Sequence, residues 1–357
     1  MKTFALPLAA LAVLALALDG YARQTPLDRL PPEQFDVVPP TEHVEGTPGE
    51  MTTQRAACRV LPTGETRRRI VDVAVQEWGF FGFSIVDETN VDDRFQRPTG
   101  VRTAGSPETE APNRRRRFRR VDPEEAARVA SSIGGYWAVT PDGNWVLDRQ
   151  NAAWNGRNGV GARWRDPWSA AFVSWVMCEG GLGTANQFRR AIAHHTYIDQ
   201  AIRARDLGSA EAAFFAYDLG EAAIEPGDLL CRGSRPAYRT IAERRRQMGV
   251  GARTHCDIVV KVDESGGRIL AIGGNVRGSV SLKLLPAIRE AEAYLRPSAR
   301  RGRTVFAHLK LQADSIEADA LDASPTILAL PCALVLRTPT RLVARTLTAA
   351  GAIANRC

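Results

Sequence analysis

Hydrophobic positions follow a helical spacing in the first half of the chain and a strand-like spacing in the second half. Apolar residues recur three and four positions apart, as on the buried face of a helix, in segments 66–78, 123–133, 167–179 and 185–205. From Gly227 onward, short apolar runs predict strands at Asp228–Cys231, Asp257–Val262, Ile269–Ile272, Val280–Lys283 and Val305–Leu311. This order predicts an α+β fold, a helical half followed by an antiparallel sheet.

Glycine and proline predict a break after the second of these helices. Gly134-Gly135 is expected to end the helix that begins after the N-cap Asp122. Pro141-Asp142-Gly143 is a turn signal between two short apolar runs, Tyr136–Val139 and Trp145–Leu147. We therefore expect a small β-hairpin over residues 136–147.

Composition suggests how the chain is organised. Residues 1–22 contain a lysine, an apolar run and a small-residue cleavage site, which predicts a secretory signal peptide, with an uncleaved anchor as the alternative. Residues 23–65 are rich in proline and predict a linker. The domain is expected at 66–313, with insertions at 84–121 and 232–253, before a C-terminal extension at 314–357. After signal cleavage we expect no transmembrane span, because no other apolar run is long enough.

The helix at 167–179 carries the most informative polar residue. Asp166 is a suitable N-cap, Pro167 suits the first helical position, and Gly180-Gly181 stops the helix. Ser169 therefore lies in the first turn, where free backbone N–H groups and the positive end of the helix dipole favour an oxyanion. The alternative is that Ser169 only supports the cap.

Three segments resemble a known family of enzymes. Trp168-Ser169-Ala170-Ala171-Phe172-Val173 is similar to the nucleophile segment of papain-like cell-wall hydrolases of the CHAP and NlpC type, with serine in place of cysteine. The other two segments are Pro226–Leu230, similar to a turn and strand, and Thr254–Val260, similar to the strand that carries the catalytic histidine. The serine resembles more narrowly the bacterial domain-of-unknown-function family 2272, which implies no activity by itself.

The resemblance implies a papain-like domain with a catalytic triad of Ser169, His255 and Asn275. Asn275 follows Ile272-Gly273-Gly274, which resembles the next strand of the family, and would orient the imidazole. Asp257 is the rival for this role, because it shares a strand face with His255. A buried core histidine is the alternative for His255.

Further residues are expected to bind substrate near this triad: Trp168, Asp257, His195 and Tyr197. His195 and Asp199 lie one helical turn apart and could share a metal, but no third ligand is evident, so we expect no metal and no cofactor.

The six cysteines are an even number, which fits an oxidising compartment. If the resemblance holds, Cys231 and Cys256 lie on neighbouring strands and form the best candidate pair. Cys332 and Cys357 could tie down the tail. Cys58 and Cys178 would then be left over, and the sequence does not decide whether they pair.

A net charge of +7 favours an anionic partner, such as peptidoglycan or another envelope polymer. The run Arg114–Arg120 is either a solvated loop or an electrostatic contact for such a polymer. Nucleic acid is not expected, because aromatic and basic residues are not interleaved. The oligomeric state is left open.

Serine at the nucleophile position leaves two functions open. A hydroxyl cannot be held ionised as a thiol can, so Ser169 would need His255 as general base. The first hypothesis is a secreted hydrolase, periplasmic or extracellular, that cleaves amide or ester bonds in cell-wall peptide. The second is a non-catalytic module that binds peptidoglycan on a fold that has lost its nucleophile.

Overall fold

Strands from both halves of the chain form one sheet in the computed structural model, which describes residues 26–54, 57–89, 123–290, 293–298 and 304–330. A short separate pair comes first, β1 (Val44–Glu45) with β2 (Thr52–Thr53). The main sheet contains β3 (Ser84–Asp87), β4 (Phe214–Tyr217), β5 (Leu229–Arg235), β6 (Arg253–Asp263), β7 (Arg268–Val276), β8 (Ser279–Ile288), β9 (Arg296–Pro297) and β10 (Val305–Leu311). Its order is β3-β8-β7-β6-β5-β10-β4, with β9 beside β8. Only the β3–β8 pair is parallel among these described strands.

Helices pack on this sheet around one central helix. The α-helices of the described ranges are α1 (Thr63–Phe80), α2 (Pro123–Ala138), α3 (Gly143–Trp154), α4 (Ser169–Glu179), α5 (His194–Leu207), α6 (Ile241–Arg245) and α7 (Pro325–Leu328). All residues of α4 are buried, and the helix packs against α1, α2, β6 and β7. The prediction of an α+β fold with a largely antiparallel sheet is therefore confirmed. None of the described helices is long and apolar enough to cross a membrane.

The hairpin predicted over residues 136–147 is wrong, because this segment belongs to α2 and α3. The glycine pair does not end α2; it lets the preceding segment approach the helix. A Cβ on Gly135 would lie 1.7 Å from the carbonyl oxygen of Pro40, and one on Gly134 would lie 2.5 Å from the sulfur of Met51. These two glycines therefore allow close packing within α2 and do not end the helix.

The segment predicted as a linker is packed where the structure describes it. Phe35, Val37 and Met51 are buried, and residues 40–43 form a 3₁₀ helix that contacts α2. The largely polar composition of the segment did not indicate these buried residues, because they are few and widely spaced. The predicted signal peptide lies outside the described residues.

The two predicted insertions are only partly loops. Residues 84–87 form β3 at one edge of the sheet, and residues 90–121 lie outside the described ranges. In the second insertion, α6 buries Arg244, whose guanidinium bonds both carboxylate oxygens of Asp199 at 2.7 Å. A buried ion pair with two parallel bonds fixes this segment against α5.

Two disulfides tie these elements together. Cys231 and Cys256 are register partners on β5 and β6 and are bonded, which confirms the predicted pair. Cys58 is bonded to Cys178 at the end of α4, so the two cysteines that the sequence left unassigned also pair. The predicted pair Cys332 and Cys357 lies outside the described residues. Of the extension that begins at residue 314, the described part packs through Leu321 and Ile327, which are buried.

Candidate active site

Ser169 is the first residue of α4, and its hydroxyl faces a histidine. Trp168 is the N-cap, two residues later than the predicted cap Asp166, which instead pairs with Arg149 at 3.4 Å. Ser169 is 8% exposed, and its Oγ lies 2.7 Å from Nε2 of His194, the first residue of α5. The structure therefore places the serine at a helix N-terminus, as expected, but gives it a hydrogen-bond partner that differs from His255.

The environment of His194 fixes which of its nitrogens carries the proton. The backbone N–H of Cys256 donates to Nδ1 at 3.3 Å, and the hydroxyl of Tyr197 also contacts Nδ1. Because a backbone N–H cannot rotate away, Nδ1 must carry the lone pair and Nε2 the proton. His194 thus donates its Nε2–H to Ser169.

Burial, aided by the neighbouring His255, holds the pKa of His194 well below its ordinary value. The imidazole is therefore neutral at physiological pH, and in this tautomer it cannot accept the Ser169 proton at Nε2. In this structure His194 is therefore a hydrogen-bond donor to Ser169.

His255 has the opposite arrangement. It lies on β6 two residues before Asp257, so both side chains share one face of the strand. Nε2 of His255 is 2.7 Å from Oδ1 of Asp257, a distance that requires a proton between the two atoms. Nδ1 is then an acceptor, and the side chain is 23% exposed. The rings of His255 and His194 lie edge to face with centroids 5.2 Å apart.

Asp257 is a buried carboxylate surrounded by cations. Nζ of Lys283 lies 2.7 and 2.8 Å from its two oxygens, and Nη2 of Arg232 lies 3.3 Å from Oδ2. Burial alone would raise the pKa of Asp257, but His255, Lys283 and Arg232 outweigh it and hold the pKa well below its usual range. Asp257 is therefore an anion that accepts hydrogen bonds from each of these neighbours.

Asp257, and not Asn275, holds the imidazole of His255. Asn275 lies near the end of β7, next to Val276, with a φ of 56°, and it makes no hydrogen bond to His255 in the part of the chain that the structure describes. Close packing explains why two glycines, Gly273 and Gly274, precede Asn275. A Cβ on Gly273 would lie 2.0 Å from Oδ1 of Asp257, and one on Gly274 would lie 2.6 Å from Cβ of Phe172 on α4.

The residues predicted to bind substrate are mostly internal. Trp168 is 2% exposed and stacks on Phe81, and Tyr197 is 1% exposed. His195 is half-buried beside Arg244 and Asp199, and burial lowers its pKa. Both carboxylate oxygens of Asp199 accept hydrogen bonds from Arg244. No cluster of three metal-ligating side chains occurs among the described residues.

The proline-glycine-aspartate motif has a structural role. Asp228 is fully buried; it accepts from Nη1 of Arg67 on α1 at 2.8 Å and lies 2.7 Å from Nε2 of His308 on β10. The backbone N–H of Leu311 also donates to it at 3.0 Å. Asp228, directly before β5, thus joins this strand to α1 and β10.

Sequence reasoning missed His194, Lys283 and Arg232. The helix was predicted from Ala185, so His194 lay in its interior and only the spacing of His195 to Asp199 drew attention. A lysine within the apolar run of β8 is a stronger signal, because a buried ammonium needs a partner. That signal could have indicated a buried carboxylate nearby.

Residues 124–307, just over half of the 357 residues, match the family model described as "Uncharacterized protein conserved in bacteria (DUF2272)". The match runs from α2 into β10 and includes the hydrogen-bonded polar residues around the serine: Ser169, His194, Arg232, His255, Asp257 and Lys283. No curated protein and no solved structure matches the chain.

Proposed function

The chain belongs to the bacterial DUF2272 family, and we propose from its site that it is a serine-dependent hydrolase of amide or ester bonds in cell-wall peptide. One observation carries the proposal: Asp257 holds Nε2 of a partly exposed His255 at 2.7 Å, and the ring of His255 contacts His194, which is hydrogen-bonded to Ser169 at the N-terminus of α4. This arrangement leaves Nδ1 of His255 unprotonated and oriented by a buried anion, as a general base requires.

In the proposed reaction Ser169 Oγ attacks the carbonyl carbon of the substrate, and its proton passes to Nδ1 of His255 when substrate brings the two groups together. Asp257 stabilises the resulting imidazolium. The backbone N–H groups in the first turn of α4 face the oxyanion. His255 then returns the proton to the leaving amine or alcohol, and water releases the acyl group from Ser169 with His255 again as base.

The substrate class rests on two further observations. The motif around Ser169 resembles the nucleophile helix of papain-like cell-wall hydrolases, and a helix packed on an antiparallel sheet is compatible with such a frame. The net charge of +7 favours an anionic polymer such as peptidoglycan. A signal peptide at residues 1–22 would deliver the protein to the periplasm or the outside.

A second candidate function is a non-catalytic module that binds the same polymer. It is favoured by the state of Ser169, which is 8% exposed and whose Oγ already accepts a hydrogen bond from His194. In this state serine serves as an internal polar contact. The two functions differ in whether the hydroxyl turns to His255 when substrate binds.

Digestion of purified peptidoglycan by the chain from Arg23 onward, with fragments resolved by mass, separates these functions. A hydrolase releases muropeptides, and Ser169→Ala, His255→Ala and Asp257→Asn each lower the rate by at least about 100-fold. Asn275→Gly keeps the rate, because Gly suits the positive φ and Asp257 holds the imidazole.

Absence of release by the parent, with sedimentation on cell wall, contradicts the hydrolase and supports the binding module. Activity that appears only in Ser169→Cys gives the same conclusion. The site would then support catalysis by a thiol, and the serine would be the reason that the parent is inactive. Neither release nor sedimentation contradicts both functions.

A further inference from the structure

Lys283 is a charged residue in the interior of a buried strand. It lies on β8 between Leu282 and Leu284 and is 5% exposed. Burial of an ammonium is unfavourable unless it is paired and hydrogen-bonded. Here Nζ reaches both oxygens of Asp257, at 2.7 and 2.8 Å, and lies 3.1 Å from Nε2 of His255.

We propose that Lys283 is a positioning residue of the site, which keeps Asp257 ionised and turned toward Nε2 of His255, so that the imidazole presents a free Nδ1. Its catalytic consequence rests on the proposed hydrolase function. The arrangement of Lys283, Asp257 and His255 can be tested without any activity.

The sheet is built to allow this contact. Lys283 on β8 must reach across β7 to arrive at Asp257 on β6, because β7 lies between these strands. Gly273 of β7 faces the pair, and a Cβ there would lie 2.0 Å from Oδ1 of Asp257 and 3.1 Å from Nε2 of His255. The absent side chain leaves the space in which the three charged or polar groups meet.

Hydrogen-bond geometry fixes the role of each group. An ammonium has only donors, so both oxygens of Asp257 accept from Lys283 and the carboxylate carries no proton. Since Oδ1 is an acceptor, the proton in the 2.7 Å contact with His255 belongs to Nε2. The 3.1 Å approach of Nζ to Nε2 is then a contact of two donors that share one acceptor.

Charges from every neighbouring element act on His255. Asp257 on β6 favours the imidazolium, whereas Lys283 on β8 and Arg232 on β5 oppose it. His194 faces the ring from α5, and Glu88 pairs with Arg232 at 3.5 Å. Burial lowers the pKa of His255 and the two cations lower it further, whereas Asp257 raises it. Loss of Lys283 therefore leaves the Asp257 charge less compensated and stabilises the imidazolium.

The test is an NMR titration of the His255 imidazole in the folded protein. In Lys283→Met the pKa of His255 should rise by about one unit relative to wild type, the scale of a single neighbouring charge. Lys283→Arg keeps the charge and should leave the pKa close to wild type. Lys261→Met is the matched control, because it removes a different buried lysine paired with an aspartate, Asp322, and should not shift His255. An unchanged or lowered pKa in Lys283→Met overturns the proposal.

If Lys283→Met does not fold, the wild-type protein still decides the question. Nitrogen chemical shifts of neutral His255 should report a proton on Nε2; a proton on Nδ1 overturns the proposal. Where muropeptide release is found, the acid limb of its pH–rate profile should move upward in Lys283→Met with the titration. Absence of release in all forms removes the hydrolase function but leaves the titration result valid.

Discussion

Gly273 is the residue at which an absent side chain most directly shapes the site. In Gly273→Ala the new Cβ would meet Oδ1 of Asp257 at 2.0 Å, a separation that forces the carboxylate away from His255 and Lys283. We expect the free energy of unfolding to fall by about 1–3 kcal/mol, as for overpacked cores, together with loss of any muropeptide release. Urea unfolding and the digestion assay measure both effects.

Gly251→Ala is the matched control for this prediction. Gly251 lies two residues before β6, the strand that carries His255 and Asp257, but a Cβ there has nothing within 4 Å, so both stability and activity should be retained. A Gly273→Ala variant as stable as Gly251→Ala would mean that Asp257 has room to move, and it would contradict the tight packing inferred for the site.

Asp72 on α1 is a buried carboxylate whose ionisation opposes folding. It is 6% exposed, its Oδ1 has no hydrogen-bond partner among the described residues, and burial raises its pKa to about 7 in spite of Arg68 and Arg69. Between its unfolded pKa of 3.8 and about 7, the folded state holds a proton that the unfolded state has lost. The contribution of Asp72 to the free energy of unfolding therefore falls as pH rises from 3.8 to about 7, and it does not change further above that pH.

In Asp72→Asn this loss is absent. The free energy of unfolding of the variant minus that of wild type should therefore increase by about 2–4 kcal/mol from pH 4 to pH 8. Urea unfolding at the two pH values gives this difference, and other titrating groups cancel in it. A difference that does not change with pH would mean that Asp72 is ionised at little cost in the folded state.

How far the sequence predicted the site is clear from individual residues. Ser169 followed from helix-start signals, and His255 from its resemblance to a catalytic strand. Asp257 was the weighed rival of Asn275, since strand periodicity places it beside His255, but the periodicity could not rank the two. His194 could not be placed, because its role depends on where α5 begins and on the neighbouring Cys256 N–H, which are tertiary features.

At the scale of elements, the two disulfides hold different lengths of chain. Cys58–Cys178 joins the segment before α1 to the end of α4 across a separation of 120 residues, whereas Cys231–Cys256 spans 25 residues within neighbouring strands. The entropy of loop closure in the unfolded chain grows with separation. Removal of the first disulfide should therefore destabilise the protein more.

Double alanine variants test this order. The loop-entropy relation gives about 5 kcal/mol for Cys58→Ala with Cys178→Ala and about 3.5 kcal/mol for Cys231→Ala with Cys256→Ala. Urea unfolding of both variants beside the parent gives the comparison. A larger loss of stability in the Cys231/Cys256 variant would mean that packing in the sheet, and not the entropy of the unfolded chain, determines how much each disulfide stabilises the protein.

The elements show where sequence patterns suffice and where they fail. β10 was predicted with its observed bounds, because an apolar run between polar flanks leaves little choice. β3 and β4 were missed, since each is four residues long and depends on pairing with a distant strand. The end of α2 and the start of α3 were mistaken for a hairpin, because the reason for Gly134-Gly135, the close approach of Pro40 and Met51, cannot be read from the sequence.

For the whole molecule, the net charge of +7 implies that polymer binding depends on salt. Surface charges are screened over about 10 Å at 0.1 M salt and about 3 Å at 1 M. Sedimentation with an anionic cell-wall polymer should therefore be strong at low salt and weaken steeply toward 1 M. Binding that is insensitive to salt would assign recognition to the buried site and not to surface charge.

The sequence also indicates where that charge is concentrated. Replacing Arg114–Arg117 with alanine lowers the net charge from +7 to +3, because four positive charges are removed. A control variant loses four scattered arginines that are exposed in the structure, Arg157, Arg189, Arg203 and Arg239, and reaches the same net charge. If the contiguous run is the electrostatic contact, its variant should lose most of the low-salt sedimentation while the control keeps more of it. Equal losses would mean that only the total charge acts, since a local contact depends on charges that lie close together.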